Sequence, residues 1–307
     1  MPEDRGADLT VGLASKVKQF LLRIPRKRRL KLFLQLLPAT LWVGFGVGIP
    51  MAMVFIFSFY TPSTFGYTSV FSLENYQELI RPTILAMIVN CFKYTVVVVP
   101  LALVAGYPVA YFLARRIKNK RLKMVLLLLA IIPFWTSYMI RMVTAIPLLG
   151  RNGILNNFFI WIGLTDKPFE SLIYSEPSIW VVEAWLWIVF VIGPIYFSLS
   201  MINEDVIDAA KSLGANAWQV LIRVIFPLTY PGICAASVFL IVYTMGEVAT
   251  TSIIGGNQYP ILAYGILCEL NHAQWPRGSA MSILLAIVTI IAVALLLRVI
   301  DLRKYLR

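Results

Sequence analysis

Long apolar runs alternate with short polar segments along this chain. Six of these runs are long enough to cross ~30 Å of hydrocarbon as helices that rise ~1.5 Å per residue. Helices are expected because backbone groups inside lipid must be hydrogen-bonded within the protein. The pattern predicts an all-α polytopic membrane protein with six transmembrane helices. The spans lie at about 33–59, 86–114, 124–146, 177–200, 232–254 and 278–299.

Two of the runs have features beyond their length. The second is longer than a bilayer crossing needs and contains Pro100 and Pro108, so we expect it to kink or to extend beyond the bilayer. The first belongs to residues 32–60, which are apolar for much longer than the ~7–15 residues of a signal-peptide core. We therefore expect this run to remain as a membrane anchor.

The composition agrees with a membrane solvent. Hydrophobic residues make up 59% of the chain and charged residues 14%, with a mean hydropathy of +0.79. Soluble globular chains are typically ~45–50% apolar and ~25% charged.

Basic residues predict the orientation, because Lys and Arg near span ends stay on the cytoplasmic side. They cluster in residues 23–31, in the 115–123 loop and in the C-terminal tail. We therefore expect both termini to be cytoplasmic. This asymmetry and anionic lipid headgroups account for the formal net charge of +12, and nucleic-acid binding is not expected because the N-terminal charges adjoin a span. The alternate loops 60–85, 147–176 and 255–277 hold only Arg81, Arg151, Lys167 and Arg277.

The orientation and the spans divide the chain into three predicted parts. Residues 1–32 form a cytoplasmic basic segment, residues 33–300 a transmembrane domain, and residues 301–307 a cytoplasmic tail. A polar loop at 203–231 interrupts the transmembrane domain on the cytoplasmic side.

The first half of this loop predicts a short helix with a defined end. We expect Asp205 and Asp208 in its first turn, where carboxylates favour the positive end of the helix dipole. Ala209 and Ala210 allow close approach of another surface. Gly214 is placed to end the helix in a left-handed conformation that a side chain would disfavour.

The second half predicts an amphipathic helix, followed by Pro227 and Pro231, which break the chain before the next apolar run. An amphipathic connector lying on the lipid headgroups is the alternative interpretation of the same pattern. The apolar residues at helical spacing are Trp218, Leu221, Ile222 and Ile225.

The sequence contains no local motif for a metal site or for a phosphate-binding site. Cys91, Cys234 and Cys268 lie far apart, and His272 is the only histidine, so no metal site is expected. No phosphate-binding loop is present. The chain is therefore not expected to be an enzyme, and any ATP that drives it must be bound by another polypeptide.

Four ionisable residues fall inside the predicted spans, where such groups are costly and face a protein interior or an aqueous path. One interpretation is a polar mouth for a solute, and the other is two structural ion pairs, since the charges cancel. The sequence leaves both open. The four residues are Lys93, Arg141, Glu183 and Glu247.

Polar residues surround Glu247 at helical spacing. Tyr243, Thr244, Thr250 and Thr251 stand three or four positions away, which predicts a continuous polar stripe on the fifth helix. The stripe favours a solute path, with hydrogen bonding to a neighbouring helix or a partner subunit as the alternative.

Aromatic residues accompany the other charges. Trp180 and Trp187 share a helix face with Glu183, while Trp135 and Tyr138 precede Arg141. Aromatic rings around carboxylates suit an ammonium ligand by cation–π attraction, but they also form interfacial belts. We expect the belt for Trp180 and a packing or gate role for Trp135.

The polar loop resembles the EAA loop of ABC importer permeases, written E-A-A-x3-G-x9-I-x-L-P. Here Asp208-Ala209-Ala210 is followed after three residues by Gly214 and after nine more by the segment 224–227, Val-Ile-Phe-Pro. The spacing fits throughout. Asp for Glu, Val for Ile and Phe for Leu are the departures, and each keeps the charge sign or the apolar character.

The resemblance extends over roughly residues 35–300 and is specific to spermidine/putrescine ABC importer permeases. The matching motifs, in chain order, are Ile132-Pro133-Phe134-Trp135-Thr136-Ser137 with Ile140-Arg141, Asn152-Gly153-Ile154-Leu155-Asn156, Gly246-Glu247 before Gly255-Gly256, and Trp275-Pro276.

The resemblance implies a type I importer fold in a bacterial inner membrane. It implies a second permease, forming a heterodimer, two ATPase subunits that hold ATP and Mg, and a periplasmic or extracellular solute-binding protein. Asp208, Ala209, Ala210, Gly214 and Pro227 would couple to the ATPase. The candidates for the solute path or gate are Glu247, Trp135, Tyr138, Glu183, Tyr243, Thr244, Thr251 and Arg141.

The implied function is transport of a small polar solute by alternating access, with a polyamine such as spermidine or putrescine expected. Similar permeases import opines, phosphonates, iron complexes or amino-acid-like compounds, which are the alternatives. A secondary transporter or channel would leave the 203–231 loop without a role.

Overall fold

A computed structural model describes residues 26–63 and 66–299 of the chain. Most of the predicted N-terminal segment, 1–25, and the whole predicted tail, 301–307, lie outside the described residues. The chain separates into two compact units, one ending at Ile56 and one beginning at Phe57.

The described part of the first unit is helical, with an apolar stretch long enough to cross a membrane. It comprises α1 (Arg26–Val43), a π-helical turn (Gly44–Gly48) and α2 (Ile49–Phe57). Its apolar part, Leu34–Phe57, is 24 residues long and could cross a membrane. Trp42 and Phe45 are 80% and 75% exposed, as suits a helix whose solvent is lipid.

An antiparallel hairpin opens the second unit, although the sequence pattern predicts an all-α protein. Strand β1 (Tyr60–Ser63) pairs with β2 (Gly66–Phe71), and the rings of Tyr60 and Tyr67 stack with centroids 5.5 Å apart. A short helix, α3 (Glu74–Glu78), follows. The amide of Asn75 donates to the carbonyl oxygens of Ser58 and Tyr60, which fixes α3 against the hairpin.

The longest helix lies at the centre of the second unit. Helix α4 (Pro82–Tyr111) continues into a π-helical turn (Phe112–Arg116), giving 35 uninterrupted helical residues. At ~1.5 Å per residue it exceeds the ~30 Å hydrocarbon thickness, in agreement with the expected extension. Pro100 and Pro108 both lie inside it.

The next part of the chain bends sharply where a straight third span was predicted at 124–146. Helix α5 (Lys120–Trp135) ends at Thr136, and the chain resumes at an angle of 92°. Pro133 has no amide hydrogen to continue the ladder, and Thr136 is extended with ψ 150°. Three short helices follow, α6 (Tyr138–Val143), α7 (Ala145–Leu149) and α8 (Ile154–Trp161).

The fourth predicted span is a bent pair of helices, and the polar loop follows it. Helix α9 (Glu176–Trp187) meets α10 (Val189–Ser200) at 48°. The loop contains α11 (Glu204–Ser212), α12 (Ala217–Val220), a π-helical turn (Leu221–Ile225) and α13 (Phe226–Leu228).

The fifth predicted span, 232–254, is broken near Glu247. Helix α14 (Tyr230–Met245) ends at Gly246, and α15 (Ala249–Ile253) begins after the break. The prediction of one continuous polar stripe through Glu247 is therefore wrong, because the residues on either side belong to different helices. Helices α16 (Leu262–Asn271) and α17 (Trp275–Val299) complete the described part.

Length and composition give three helices that can cross a membrane, or six if each bent pair counts as one span. The three bent pairs are Lys120–Trp135 with Tyr138–Trp161, Glu170–Trp187 with Val189–Ser200, and Ala217–Leu228 with Tyr230–Met245.

Helices α4, α10 and α14 pack on one another and form the core. Two glycines allow their backbones to approach closely. A β-carbon on Gly106 of α4 would stand 2.6 Å from Cγ1 of Val191 on α10. A β-carbon on Gly232 of α14 would stand 2.6 Å from Cβ of Ser198 and 2.7 Å from the carbonyl oxygen of Pro194, both on α10.

We expect Gly232→Ala to destabilise the fold by about 1–3 kcal/mol, because the added carbon collides with backbone that cannot move aside. Thermal denaturation of the purified protein in detergent measures the effect. Gly46→Ala is the control, since nothing lies within 4 Å of the carbon added there. Equal melting temperatures for the two variants would contradict close packing of α10 and α14.

Candidate functional site

A cavity of about 570 Å³ opens where the broken helices meet. Glu247 is its single charged lining residue. Its walls come from the start of α6, the end of α9, the end of α14, and α15. The lining residues are Tyr138, Met139, Trp187, Val242, Tyr243, Gly246, Glu247, Val248, Ala249, Ser252, Ile253 and Leu267.

Glu247 lies in the break between α14 and α15 and is 4% exposed. Its Oε1 accepts a hydrogen bond from the backbone amide of Thr250 at 3.0 Å and another from the hydroxyl of Tyr138. The bond from Tyr138 joins the start of α6 to the break after α14. Glu247 therefore holds together the two places where helices are interrupted.

Three aromatic rings form one wall of the cavity. Trp187 stacks on Tyr243 with centroids 4.4 Å apart and on Tyr138 with centroids 5.6 Å apart, each at an interplanar angle of 16°. Phe190 extends the cluster, 4.6 Å from the Tyr243 ring. A stacked aromatic wall beside a carboxylate is a setting that favours a cationic group.

The other charged residues of the predicted spans lie elsewhere. Lys93 pairs with Glu176, and its Nζ stands 5.8 Å from the Trp180 ring centroid. Arg141 is buried and donates from Nη1 to the carbonyl oxygen of Leu186 at 3.1 Å. Among the described residues, no ion pair joins two of the four intramembrane charges, so the interpretation as two structural ion pairs is wrong.

The remaining candidates for the solute path are not brought into the cavity wall. Trp135 is 81% exposed at the end of α5. Thr244 and Thr251 are buried, and the Thr251 hydroxyl donates to the carbonyl oxygen of Val248. Glu183 is completely buried behind the wall. For Trp187 the sequence predicted only a shared helix face with Glu183. It gave no signal for Met139 and Leu267, because an apolar residue in a span has no distinguishing chemistry.

The polar loop presents a folded, exposed surface. The side chain of Asn203 caps α11 by accepting from the amide of Asp205 at 3.1 Å. Asp205 is in the first turn, as expected, but Asp208 is in the second, where it pairs with Lys211 at 2.9 Å. The prediction for Asp208 is wrong in this respect, because Glu204 is the first residue of the helix.

Gly214 ends the first half of the loop as predicted, with φ of +87°. Around it the surface is open: Leu213 is 89% exposed and Trp218 68% exposed, and Asp208 and Ala209 are also exposed. Exposed apolar side chains here suit a contact with another protein or with lipid headgroups.

The second half of the loop begins with a capping box between Asn216 and Gln219. The segment Ala217–Leu228 is bent by 62° from α14, with Pro227 in the first turn of α13 and Pro231 in the first turn of α14. The break before the fifth span is thus located at the prolines, as predicted.

Arg115 connects the loop to the end of the longest helix. In the sequence it is one of several basic residues in the 115–123 loop, which predicted only the orientation of the chain. Its Nη1 donates to Glu204 Oε1 at 2.5 Å and its Nη2 to the carbonyl oxygen of Ile202 at 3.0 Å. The Arg115 side chain is 9% exposed, against 69% for Glu204. No motif distinguishes it from the neighbouring basic residues.

Comparison with known proteins adds independent support. The family described as binding-protein-dependent transport system inner membrane component matches residues 106–304. The spermidine/putrescine transport system permease protein PotB of Salmonella typhimurium is 31% identical over 249 residues, which are 80% of this chain and 86% of that protein. PotB of Haemophilus influenzae is 32% identical over 245 residues, 79% and 84% of the two chains.

A solved structure shows the same fold. The crystal structure of a bacterial alginate ABC transporter, in complex with an alginate pentasaccharide-bound periplasmic protein, contains a chain that superposes with a TM-score of 0.67 at 16% identity. The match covers 91% of this chain and 96% of that one.

Three findings lead to one conclusion. They are the cavity at the broken helices, the exposed 203–231 loop with its turn at Gly214, and the family match over residues 106–304. This chain belongs to the binding-protein-dependent transport system inner membrane components and is a multi-pass permease subunit of an ABC importer, in which separate subunits hydrolyse ATP.

Proposed function

We propose that this permease imports a linear polyamine by alternating access. The observation that carries the proposal is Glu247 in a cavity walled by the stacked rings of Tyr138, Trp187 and Tyr243. A carboxylate neutralises one ammonium group, while ring faces attract others and pack against the methylene segments. The relatives named for spermidine and putrescine support the same class of solute.

The charges around the cavity favour a cation over an anion. Arg141 and Lys93 are both engaged outside the cavity wall, Arg141 by a carbonyl oxygen and Lys93 by Glu176. Glu247 therefore gives the cavity a negative charge with no basic residue in its lining. A phosphonate or another anionic solute would meet unfavourable electrostatics at this position.

The proposal includes the assembly in which the chain works. A second, different permease completes the path, a solute-binding protein delivers the polyamine, and two ATPase subunits bind ATP and Mg. The chain's termini and its 203–231 loop face the cytoplasm, as the basic residues indicate. The membrane is the bacterial inner membrane, in agreement with the family description.

The exposed side of α11 would seat on the ATPase. Asp208, Ala209 and Gly214 are exposed there, with Leu213 projecting beyond them. Pro227 lies at the turn that leads into α14, so movement of the loop is transmitted to the helix that ends beside Glu247. ATP closure would tilt these helices and open the cavity outward, and hydrolysis would let it open inward.

Arg115 gives the loop a second attachment. Through Glu204 and Ile202 it joins the beginning of α11 to the end of the long helix that starts at Pro82. A displacement of α11 therefore acts on this helix as well as on α14. We assign Arg115 the role of a positioning residue in coupling.

Reconstituted transport tests the solute assignment. We expect Glu247→Gln to lower spermidine uptake about tenfold or more, because a charged hydrogen-bond acceptor is worth about 1.5–3 kcal/mol. Lys93→Gln is the control and should reduce uptake much less, since Lys93 is paired outside the cavity. Uptake is measured in proteoliposomes containing the complete transporter and its binding protein. The opposite ranking would indicate an anionic or zwitterionic solute.

Gly214 tests the coupling role of the loop. We expect Gly214→Val to assemble with its partners yet to lose most transport and binding-protein-stimulated ATPase activity, because a side chain at φ +87° costs about 1–2 kcal/mol and distorts the loop. Gly214→Asn should stay near wild type, since Asn tolerates this conformation. Normal coupling in the Val variant would refute the assignment.

The two contacts of Arg115 predict that different substitutions weaken coupling to different extents. Arg115→Ala should lower the number of solute molecules carried per ATP hydrolysed, and Glu204→Gln should do so less, because the bond to the Ile202 carbonyl oxygen remains. The control is Arg116→Ala. Arg116 is exposed, and it lines the same surface pocket of about 290 Å³ as Arg115 and Glu204. Equal coupling ratios in all three variants and wild type would show that the contact is only structural.

A further inference from the structure

Glu183 is the most unusual charged residue of the chain. Its side chain is completely buried, and neither carboxylate oxygen has a hydrogen-bond partner among the described residues. A carboxyl group in an apolar interior stays ionised only when a hydrogen bond or an opposite charge compensates it, and otherwise it holds a proton. Glu183 is enclosed by its own chain, so a partner from outside, whether a subunit or a solute, reaches it only when the chain opens.

Two contacts fix what Glu183 faces. The Cδ1 atom of Ile179 lies 2.7 Å from where a β-carbon on Gly255 would stand, and Trp187 stacks on Tyr243. Helix α9 therefore runs antiparallel to the segment 243–255. Glu183 lies midway between Ile179 and Trp187, so the register places it opposite residues 247–250.

Electrostatic interactions agree with this register. The carboxyl groups of Glu183 and Glu247 are close enough to interact electrostatically. Glu183 also interacts with the hydroxyl of Tyr138, which donates to Glu247. The two carboxylates thus belong to one group, with Glu247 at the cavity and Glu183 behind it.

Further oxygen atoms in this segment lack partners. Thr244 and Thr250 are fully buried, and the hydroxyl oxygen of each has no hydrogen-bond partner in the described part of the chain. Thr250 lies within the stretch opposite Glu183, and Thr244 lies three residues before Glu247. The two basic residues of the predicted spans, Lys93 and Arg141, are bound to Glu176 and to the Leu186 carbonyl oxygen.

We propose that Glu183, Thr244 and Thr250 form a recess behind Glu247, closed in this structure, that binds a primary ammonium group when it opens. Such a group supplies one positive charge and three N–H donors, which match a carboxylate and two hydroxyl acceptors. Ca²⁺ and Mg²⁺ take about six or more oxygen ligands, more than this group offers. A quaternary ammonium ion has no donor to satisfy the buried oxygens.

The recess specifies how a polyamine binds, and in this respect it rests on the proposed function. The terminal ammonium passes Glu247 and binds Glu183, while the methylene chain lies along the Trp187 ring in the cavity. Glu247 then interacts with the next cationic nitrogen or stabilises the same one from the cavity side. The site selects for an unsubstituted chain end.

Thermal stability of the assembled transporter in nanodiscs tests the recess without transport. We expect methylammonium chloride to raise the melting temperature of the wild type progressively with concentration, as a ligand of the folded state does. Tetramethylammonium chloride and sodium chloride at equal concentration should not. Glu183→Gln is nearly the same size and removes the ionisable carboxyl group, so it should fold and lose the methylammonium shift.

Matched variants separate this site from general salt effects. Glu176→Gln makes the same change two turns earlier on α9, at a carboxylate paired with Lys93, and should keep the methylammonium shift. Thr250→Val should reduce it in part. The proposal is overturned if Glu183→Gln keeps the shift, if sodium produces an equal Glu183-dependent shift, or if methylammonium produces none in the wild type.

Spermidine uptake distinguishes this inference from the proposed function. Loss of the methylammonium shift in Glu183→Gln together with about tenfold lower spermidine uptake supports both. A Glu183-dependent shift in a transporter that carries no spermidine keeps the ammonium site and refutes the polyamine assignment. Wild-type spermidine uptake by Glu183→Gln refutes binding of the polyamine's terminal ammonium at Glu183 and leaves the assignment standing.

Discussion

The hydrogen bond from the Tyr138 hydroxyl to Glu247 is the contact on which the site depends. A helix in lipid can be interrupted only where protein or a cavity satisfies the freed backbone groups. This chain is interrupted between Trp135 and Tyr138 and between Met245 and Ala249, and the bond joins the two interruptions. The same carboxylate also accepts from the amide of Thr250 at the start of α15.

Placing a carboxylate at that junction has an electrostatic consequence. Glu247 cannot be replaced by a neutral acceptor without changing the charge of the cavity, so one side chain serves both the fold and the solute. The stacked rings of Tyr138, Trp187 and Tyr243 come from three different helices and exclude water from its apolar side. The cavity is therefore formed only when all three helices are in place.

The sequence predicted those features that depend on local chemistry. Apolar runs located the three long helices Leu34–Phe57, Pro82–Arg116 and Trp275–Arg298 to within several residues, because the thickness of the hydrocarbon fixes the length of a helix. Gly214 was recognisable because a positive φ favours glycine. The motif spacing around Gly214 predicts that the loop is a contact surface for another protein.

The features that depend on tertiary contacts were not predictable. Periodicity treated 232–254 as one helix, because the residues at the break, Gly246 to Val248, are not excluded from helices by their composition. The partner of Lys93 is Glu176, a residue assigned to a loop, and nothing in the spacing pairs them. Arg115 could not be separated from the basic residues around it, because its burial is set by Glu204 and Ile202 far along the chain.

The close approach of Gly106 and Gly232 to α10 packs α4, α10 and α14 tightly together. Helix α14 has 16 residues and runs from the loop to the cavity. A rod of that size is roughly 24 Å long at ~1.5 Å per residue, so a tilt of about 10° about one end moves the other by roughly 4 Å. That displacement is close to the 4.4 Å between the centroids of the Tyr243 and Trp187 rings. A small movement of the loop is therefore sufficient to unstack the two rings.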